Sequence, residues 1–258
     1  MSGRMDGKVV IVTGGSSGIG RATAIAFARE GAKVVIAARR VNEGEETVKH
    51  IVKAGGEAIF VQTDVTQANE VQTLVDRTLE QYGRLDAAFN NAGSGKGIRL
   101  IDLTEEEWEQ EIAVNLKSVW LCLKYQIPAM LKSGKGAFAS GGTKCIVNMG
   151  SQGAILGVPN YTAYGAAKGG AVALTRAAAA EYAAEGIRIN AVSPGAVETE
   201  LWANAPAGMI EQVAAGIPMQ RVGQPQDIAE TVVWLCSDAA GFITGQNIAI
   251  DGGYTTSN

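Results

Sequence analysis

The sequence predicts an α/β domain built on a parallel β-sheet with helices on both faces. Short runs rich in β-branched residues alternate with longer helical patterns along most of the 258 residues. Strands buried on both faces are continuous apolar runs, and regular alternation with helices is typical of parallel sheets. No repeat, linker or second domain interrupts the pattern, so we expect residues 1–258 to form one domain.

The first half of the chain contains four strand-like segments separated by helical ones. The run Lys8–Val12 (Lys-Val-Val-Ile-Val) is the clearest, because it is short, apolar and bounded by polar residues. The predicted elements are strand 8–12, helix 21–30, strand 33–38, a helix ending near 53, strand 58–62, helix 67–82 and strand 85–89.

The second half continues this rhythm. Thr104 followed by Glu107 forms a capping box, which predicts a long helix to about Leu131. Residues 198–219 have few regular signals and are interpreted as a lid over the substrate. The remaining predicted elements are strand 145–149, helix 164–185, strand 187–192, helix 225–236 and strand 247–250.

Composition and charge narrow the function classes. A hydrophobic fraction of 47%, with 33 glycines and 6 prolines, is typical of a globular chain with close backbone approaches. A net charge of −4 without a basic cluster argues against a nucleic-acid partner. His50 is the single histidine, so the chain has too few histidines for a typical zinc site and a poor basis for a histidine triad. We therefore expect no metal.

Cysteine usage and hydropathy bear on the compartment. Cys122, Cys145 and Cys236 are far apart and odd in number, which predicts unpaired thiols in a reducing environment. No run approaches the ~20 apolar residues of a membrane span, and the N-terminus has no apolar targeting segment. We therefore expect a soluble cytoplasmic protein without a membrane partner.

A glycine-rich turn, Thr13-Gly-Gly-Ser-Ser-Gly-Ile-Gly20, joins the first predicted strand to the first helix. Glycines allow a tight turn and close backbone approach, and a helix N-terminus presents free N–H groups to a pyrophosphate. The spacing is G-x-x-x-G-x-G rather than G-x-G-x-x-G, and a plain loop is the alternative. The strand–turn–helix context favours nucleotide binding. The candidate residues are Gly14, Ser16, Ser17, Gly18, Ile19 and Gly20.

Tyr164 and Lys168 stand four apart in an Ala-rich segment, so a helix would place them on one face. A nearby ammonium favours the phenolate and would lower the phenol pKa from its usual value of about 10. Ser151 follows an apolar strand and can direct a hydroxyl to the same point. A hydroxyl, an acid and a cation together predict a site for carbonyl reduction. An ordinary surface pair is the alternative for Tyr-x-x-x-Lys taken alone.

The end of the second predicted strand indicates the cofactor. An acidic residue about 20 residues after such a turn normally binds the ribose 2′-hydroxyl and repels a 2′-phosphate. Here the strand ends Ala37-Ala38-Arg39-Arg40, and the next acid is Glu43. A guanidinium can bind a phosphate through paired hydrogen bonds, so Arg39 and Arg40 favour NADP(H), with NAD(H) still possible. A solvated surface pair is the alternative.

The substrate pocket is predicted to be mostly apolar, because the segments near the site carry large hydrophobic residues and no cluster of Arg or Lys. We expect a small-molecule carbonyl or alcohol with apolar flanks as substrate. The candidate lining residues are Ile155, Leu156, Val158, Leu201, Trp202, Met209 and Ile210.

Taken together, five stretches resemble the short-chain dehydrogenase/reductase family over nearly the whole chain. They are the turn 13–20, Asn90-Asn-Ala-Gly93, Asn115, Ser151 with Tyr164-x-x-x-Lys168, and Pro194-Gly195 followed by Thr199. The resemblance implies a Rossmann-like doubly wound fold with a seven-stranded parallel sheet, a nicotinamide cofactor and a homotetramer.

The resemblance also implies a role for each matching residue. Tyr164 would be the general acid in reduction and the base in oxidation, Lys168 would hold the nicotinamide ribose, and Ser151 would bind the substrate oxygen. Asn115 would anchor a water that links Lys168 to solvent; a helix-kink residue bonded to a backbone carbonyl is the alternative. Further cofactor contacts would come from Asp64, Val65, Asn91, Ala92, Gly93, Pro194, Gly195, Val197 and Thr199.

The expected activity is therefore NADP(H)-dependent interconversion of a ketone and a secondary alcohol. Reduction of 3-oxoacyl groups on a carrier protein is one alternative, although Ala180 stands before Glu181 where such relatives often have Arg. A sugar dehydrogenase of the glucose type is another. A cofactor-binding sensor without turnover is a third, disfavoured by the intact Ser151, Tyr164 and Lys168. The Gly- and Ser-rich segment 133–143 is longer than the family's usual connection, and nothing in the sequence explains it.

Overall fold

Seven strands form one sheet at the centre of the fold, in the order β3-β2-β1-β4-β5-β6-β7. The computed structural model describes residues 3–133, 144–202, 206 and 208–257. Every neighbouring pair of strands is parallel, as the sequence predicts. The strands are β1 (Val9–Thr13), β2 (Lys33–Ala38), β3 (Glu57–Gln62), β4 (Ala87–Asn90), β5 (Lys144–Met149), β6 (Ile187–Pro194) and β7 (Asn247–Ile250).

Helices cover both faces of this sheet. They are α1 (Gly18–Arg29), α2 (Val41–Lys53), α3 (Ala68–Tyr82), α4 (Glu105–Ile112), α5 (Ser118–Lys132), α6 (Thr162–Tyr182), α7 (Met209–Ala215), α8 (Pro225–Cys236) and α9 (Tyr254–Ser257). Within the described ranges, none of these helices is both long enough and apolar enough to span a membrane.

Alternate residues of the central strands enter two separate hydrophobic cores. Val10 and Val12 of β1 pack with Phe27 of α1 and Val232 of α8, whereas Ile11 packs in the layer of α3, α5 and α6. All five residues of β1 are buried. Because both faces are covered, the strand needs apolar side chains at every position, which explains its continuous apolar run.

Two parts of the chain differ from the sequence prediction. The helix expected over 104–131 is broken into α4 and α5 by a π-helical turn at Ala113–Lys117, although the capping box at Thr104 is present. The predicted lid 198–219 is not wholly irregular, because it contains a 3₁₀ turn at Glu200–Trp202 and the helix α7. Residues 134–143, 203–205 and 207 lie outside the described residues.

The strand order places a crevice beside the glycine-rich turn. β1 pairs with β2 on one side and β4 on the other, so the direction of winding reverses at β1. In open α/β sheets, ligands bind outside the carboxyl ends of the strands at such a reversal. The turn that follows β1 and the segment that follows β4 both lie at this position.

Candidate active site

The glycine-rich turn has the geometry expected of a close backbone approach. Gly14 and Gly18 have φ values of +67° and +49°, which side chains rarely adopt. A β-carbon placed on Gly20 would lie 2.1 Å from the carbonyl oxygen of Gly14, so only glycine fits there. Helix α1 begins at Gly18, and its capping residue Ser17 makes no side-chain hydrogen bond to the first turn. The turn therefore presents helix N–H groups to an anion.

The segment after β4 braces this turn. The Asn91 amide donates to the carbonyl oxygens of Thr13 at 3.0 Å and Gly14 at 3.3 Å. In return, the Thr13 hydroxyl accepts from the backbone N–H groups of Asn91 and Ala92. Asn90 is buried and bonds to Gln126 and Asn148, which ties β4 to α5 and β5. Gln126 and Asn148 are supporting residues that sequence reasoning missed, because nothing in their local pattern marks them.

The two arginines after β2 differ in what they contact. The Arg40 guanidinium donates to the hydroxyls of Ser17 at 2.6 Å and Ser16 at 3.3 Å, and pairs with Glu43. The Arg39 side chain is exposed and forms no hydrogen bond or ion pair with the described part of the chain. Both remain candidates for a phosphate, and the structure brings Arg40 rather than Arg39 to the glycine-rich turn.

The other predicted cofactor residues lie at the carboxyl ends of β3 and β6. The Asp64 carboxylate accepts from the backbone and hydroxyl of Thr66, and Val65 is buried beside it. After β6, a β-carbon on Gly195 would lie 2.8 Å from Asp251, so the backbone passes close to that residue. Thr199 reaches the glycine-rich turn, because its Cγ2 lies 3.2 Å from the position of a β-carbon on Gly18. Pro194 is the last residue of β6, and Val197 is buried just beyond it.

Ser151, Tyr164 and Lys168 meet at the carboxyl end of β5. Ser151 lies two residues after the end of β5 and accepts a hydrogen bond from the Gly153 amide at 3.1 Å. Tyr164 and Lys168 lie on one face of α6, and Lys168 Nζ is 5.7 Å from the centre of the Tyr164 ring. Lys168 is 2% exposed, and its ammonium donates to the Met149 carbonyl at 2.9 Å. The structure thus assembles the hydroxyl, the phenol and the cation that carbonyl reduction needs.

The pKa of Tyr164 is shifted in the direction opposite to the one that the sequence predicts. Burial raises the pKa of the Tyr164 phenol, and a hydrogen bond from Ser151 offsets only part of that effect. Burial also lowers the pKa of Lys168 to about 8, although the charge of Glu111 opposes this shift. The pKa of Tyr164 is therefore raised overall rather than lowered as the sequence predicts, because desolvation of the phenol dominates.

Asn115 lies in the π-helical turn between α4 and α5 and is fully buried. Its amide nitrogen donates to the backbone carbonyls of Ser94 at 2.7 Å and Glu111 at 3.2 Å, and to the Glu111 carboxylate at 2.9 Å. Bonding to a backbone carbonyl is what the kink interpretation predicts. However, the amide oxygen is buried with no hydrogen-bond partner, which leaves an acceptor available for a water.

The Asn115 amide oxygen and the Lys168 ammonium lie close together next to Gly93. A β-carbon on this residue would lie 2.8 Å from the Asn115 amide oxygen and 3.3 Å from Lys168 Nζ. Glu111 is the buried acid of this region, and sequence reasoning missed it. It stands in an acid-rich stretch that resembles a solvated helix face, and only its four-residue spacing from Asn115 could have singled it out.

The predicted substrate residues do not all gather in one place. Trp202 lines a cleft of about 520 Å³ with Arg21, Glu200 and Gln224, on the side of α1. Among the side chains that the structure describes, no other predicted substrate residue lines this cleft. Ile155 and Met209 are exposed, at 44% and 42%. Leu156, Val158 and Ile210 are partly buried. The side chain of Leu201 lies outside the described residues.

Comparison with known proteins identifies the family of this chain. Residues 14–255 match the family model described as enoyl-(acyl carrier protein) reductase. A 2,5-dichloro-2,5-cyclohexadiene-1,4-diol dehydrogenase of Sphingobium indicum is 41% identical, over 97% of this chain and 98% of that protein. A 3-oxoacyl-(acyl-carrier-protein) reductase of Thermotoga maritima is 36% identical, over 97% of this chain and 98% of that protein.

A solved structure of a short-chain type dehydrogenase/reductase is also similar to this chain. The short-chain type dehydrogenase/reductase from Mycobacterium marinum superposes with a TM-score of 0.89 at 32% identity, over 97% of this chain and 96% of that one. The sequence likeness covers almost the whole chain, and the seven-stranded parallel sheet is the one that the sequence predicts. The protein belongs to the short-chain dehydrogenase/reductase family and has a Rossmann-like fold.

Proposed function

We propose that this protein interconverts a secondary alcohol and its ketone, with NADP(H) as cofactor and Tyr164 as acid and base. The observation that carries the proposal is the convergence of Ser151, Tyr164 and Lys168 at the carboxyl end of β5, next to the crevice at the glycine-rich turn. Relatives of the same family act on alcohols, and one of them acts on a cyclic diol.

The residues of the site fit a nicotinamide nucleotide. The turn between β1 and α1 passes close to the segment after β4, since β-carbons at Gly14 and Gly20 would each lie 2.7 Å from the Asn91 amide nitrogen. The helix N–H groups there would hold the pyrophosphate, and Arg39 and Arg40 would hold a 2′-phosphate. Lys168, Pro194, Gly195 and Thr199 would border the nicotinamide end. When bound, the cofactor supplies the acceptor or donor of a hydride.

In alcohol oxidation the C–H and O–H bonds of the carbinol break together. The nicotinamide would supply the hydride acceptor, and the hydroxyl proton passes to the Tyr164 oxygen. Ser151 holds the substrate oxygen, and the Lys168 ammonium stabilises the negative charge of the phenolate. Reduction is the reverse, with the phenol donating its proton to the carbonyl oxygen.

Two other substrate classes and one other function compete with this proposal. The likeness to a 3-oxoacyl-(acyl-carrier-protein) reductase favours a carrier-bound thioester, and a sugar is the third class. A sensor that binds cofactor without turnover is the other function. A screen of cyclic and open-chain ketones, sugars and 3-oxoacyl thioesters, followed by NADPH absorbance, separates these four outcomes. Turnover of none of them, with cofactor still bound, would favour the sensor.

Cofactor choice is tested at the end of β2. Ala38→Asp introduces a carboxylate that accepts from the NAD ribose and repels a phosphate, and Arg39→Leu removes a cation. A hydrogen bond to a charged group contributes ~1.5–3 kcal/mol, which is roughly 10- to 100-fold in preference. The double variant should shift kcat/KM toward NADH more than either single change. Because the structure brings Arg40 to Ser16 and Ser17, Arg40→Leu is the comparison that identifies which arginine contributes.

The proposal also includes a lid, formed by residues 198–219, that closes over an apolar substrate. If it does so, Trp202→Ala should raise KM for bulky ketones more than for small ones.

We also propose that the protein is a homotetramer in the cytoplasm. Trp108 and Trp120 are 39% and 45% exposed on α4 and α5, which favours an assembly that covers them. Light scattering that returned the 26.8 kDa protomer mass at micromolar concentration would contradict this. All three cysteines are free and buried, as a reducing cytoplasm would allow.

A further inference from the structure

A buried carboxylate links the Tyr164–Lys168 pair to the protein surface. Glu111 is 7% exposed, and its two oxygens have different partners. One accepts from the Asn115 amide at 2.9 Å, and the other accepts from the Lys96 backbone N–H at 3.2 Å. A carboxyl group in this position costs free energy to bury unless it is used or compensated.

On its inner side, Glu111 faces the active-site cation. The amide of Asn115 connects the carboxylate to the point where the Asn115 oxygen and Lys168 Nζ come close, next to Gly93. That amide oxygen is fully buried and has no hydrogen-bond partner among the described residues. A water there would accept from Lys168 and donate to Asn115, which would join the ammonium to the Glu111–Asn115 pair.

On its outer side, Glu111 lines a cavity of about 320 Å³. Most of the remaining lining is at the surface, because Lys96, Thr104, Glu106 and Gln110 are exposed. The carboxyl group thus lies between a buried cation and a cavity lined by exposed polar residues. A proton that leaves the Tyr164–Lys168 pair has a titratable group on its way to solvent.

We propose that Glu111 exchanges the reaction's proton between the Tyr164–Lys168 pair and solvent. This inference rests on the proposed alcohol–ketone chemistry. In oxidation, the oxidised nicotinamide would accept the hydride, and the hydroxyl proton goes to Tyr164. Lys168 then gives one proton to a water held by the Asn115 amide oxygen and takes the Tyr164 proton in exchange. That water passes a proton to the Glu111 carboxylate, which releases it into the outer cavity. Glu111 touches neither substrate nor cofactor and is a positioning residue for the proton.

The charged surroundings suit this role. Lys168 and Tyr164 face Glu111 from α6, and Lys96 faces it from the loop after β4, where its ammonium pairs with Glu107 of the same helix as Glu111. Burial raises the pKa of Glu111, while the Lys96 N–H, the Lys168 charge and the Asn115 amide oppose the shift. A raised carboxyl pKa brings proton uptake and release closer to neutral pH.

The test compares Glu111→Gln with Glu106→Gln. Both remove one carboxylate from the lining of the same cavity, but no hydrogen bond of Glu106 to Asn115 exists in the described structure. Oxidation of the alcohol that corresponds to a ketone reduced in the screen is followed across pH in dilute buffer and with added imidazole. We expect kcat of Glu111→Gln to fall at least ~10-fold, within the ~10²–10⁴-fold range of acid–base catalysis, and to recover with imidazole. Glu106→Gln should match the parent.

A second measurement needs no turnover. The ionisation of Tyr164 is followed by ultraviolet absorbance in the cofactor-free protein, as the difference between each protein and its Tyr164→Phe version. Because the Glu111 charge raises the pKa of Tyr164, its midpoint should move to lower pH in Glu111→Gln and stay unchanged in Glu106→Gln. Glu111→Asp, which keeps an acid, should behave more like the parent and serves if the Gln variant does not fold.

The two measurements separate the possible failures. A Tyr164 midpoint unmoved by Glu111→Gln would overturn the inference, whatever the activity. A slow Glu111→Gln variant that imidazole does not rescue would show a purely structural role and would also overturn it. If the parent oxidises or reduces no alcohol or ketone in the screen, the proposed function fails, and the Tyr164 titration still decides whether Glu111 is coupled to the pair.

Discussion

Two buried ionic clusters lie at opposite ends of the central strands and are satisfied to different degrees. At the amino ends of β4 and β5, Asp86 accepts from Lys144 Nζ at 2.6 Å and from two Arg84 nitrogens at 2.7 Å. The backbone N–H of Val9 completes the set at 3.0 Å. Asp86 and Lys144 are 3% and 5% exposed, so each buried charge there has an opposite charge in contact.

At the carboxyl end of β5, Lys168 is equally buried but has a different environment. Its ammonium donates to the Met149 carbonyl, and no carboxylate of the described residues lies within ion-pair distance. Nearby, the Asn115 amide oxygen has no partner. This cluster is thus held by neutral groups and by the more distant charge of Glu111.

The difference in hydrogen-bond and charge partners indicates that the Asp86–Lys144 cluster stabilises the fold, whereas the cluster around Lys168 takes part in the reaction. A buried charge with a full set of partners keeps one protonation state, since any change would leave its neighbours uncompensated. A buried charge with an incomplete set has a shifted pKa and is ready to exchange a proton or bind a ligand. The first arrangement lies at the end of the sheet remote from the crevice, and the second lies beside it.

The largest expected effect is on turnover, from Tyr164→Phe. This change keeps the ring and removes only the ionisable hydroxyl, and acid–base catalysis contributes ~10²–10⁴-fold. We expect kcat to fall by at least that order while NADPH binding, measured by fluorescence titration, and the unfolding free energy change little. Near-normal turnover would show that the carboxyl-end cluster is not reactive and would remove the contrast.

The next effect is on stability, from Asp86→Asn. Removing one partner of a buried ion pair costs about 3–5 kcal/mol, because Lys144 is left charged and uncompensated. Urea unfolding followed by circular dichroism measures the loss, and kcat of the folded variant should stay near that of the parent. Asp102→Asn is the matched control, because its pair with Arg99 is exposed and spans 3.9 Å, and exposed pairs contribute ~0–1 kcal/mol.

Acid should remove the same stabilisation in the parent. Burial alone would raise the pKa of Asp86, but hydrogen bonds from Arg84 and Lys144 reverse the shift and lower it overall. A folded-state pKa below the unfolded value of about 3.9 stabilises the protein above that pH and is lost as pH falls through the folded value. The difference in unfolding free energy between the parent and Asp86→Asn should therefore be constant near neutral pH and shrink below about pH 4. A constant difference down to pH 2 would contradict the assignment.

The smallest expected effect is on the unfolding free energy of Lys168→Met, which tests whether the carboxyl-end cluster contributes to stability. Lys168→Met replaces an ammonium that lacks an ion-pair contact with an apolar chain of similar length, and such exchanges are often neutral or stabilising. We expect the unfolding free energy to change by less than ~1.5 kcal/mol, the range of volume-conserving exchanges, although turnover is lost. A loss as large as that of Asp86→Asn would mean that both clusters serve stability.

Much of the fold follows from the sequence because its signals are local. Lys33–Ala38, Pro225–Cys236 and Asn247–Ile250 have the predicted bounds, and most other elements shift by one to three residues at an end. The capping box at Thr104 is present as predicted. Apolar runs, caps and glycines act through neighbouring residues, so the pattern of one segment is sufficient to predict its conformation.

The details of the site depend on contacts between distant segments. Asn115 and Glu111 are linked to Ser94 and Lys96, which come from the loop after β4, and that loop packs against Tyr164 of α6. The same packing accompanies the π-helical turn, which no periodicity in residues 104–131 indicates. The sequence by itself determined the sheet, the glycine-rich turn and the spacing of Ser151, Tyr164 and Lys168. Only the tertiary structure decided which charges are buried, because desolvation depends on everything that packs around a group and not on its place in the chain.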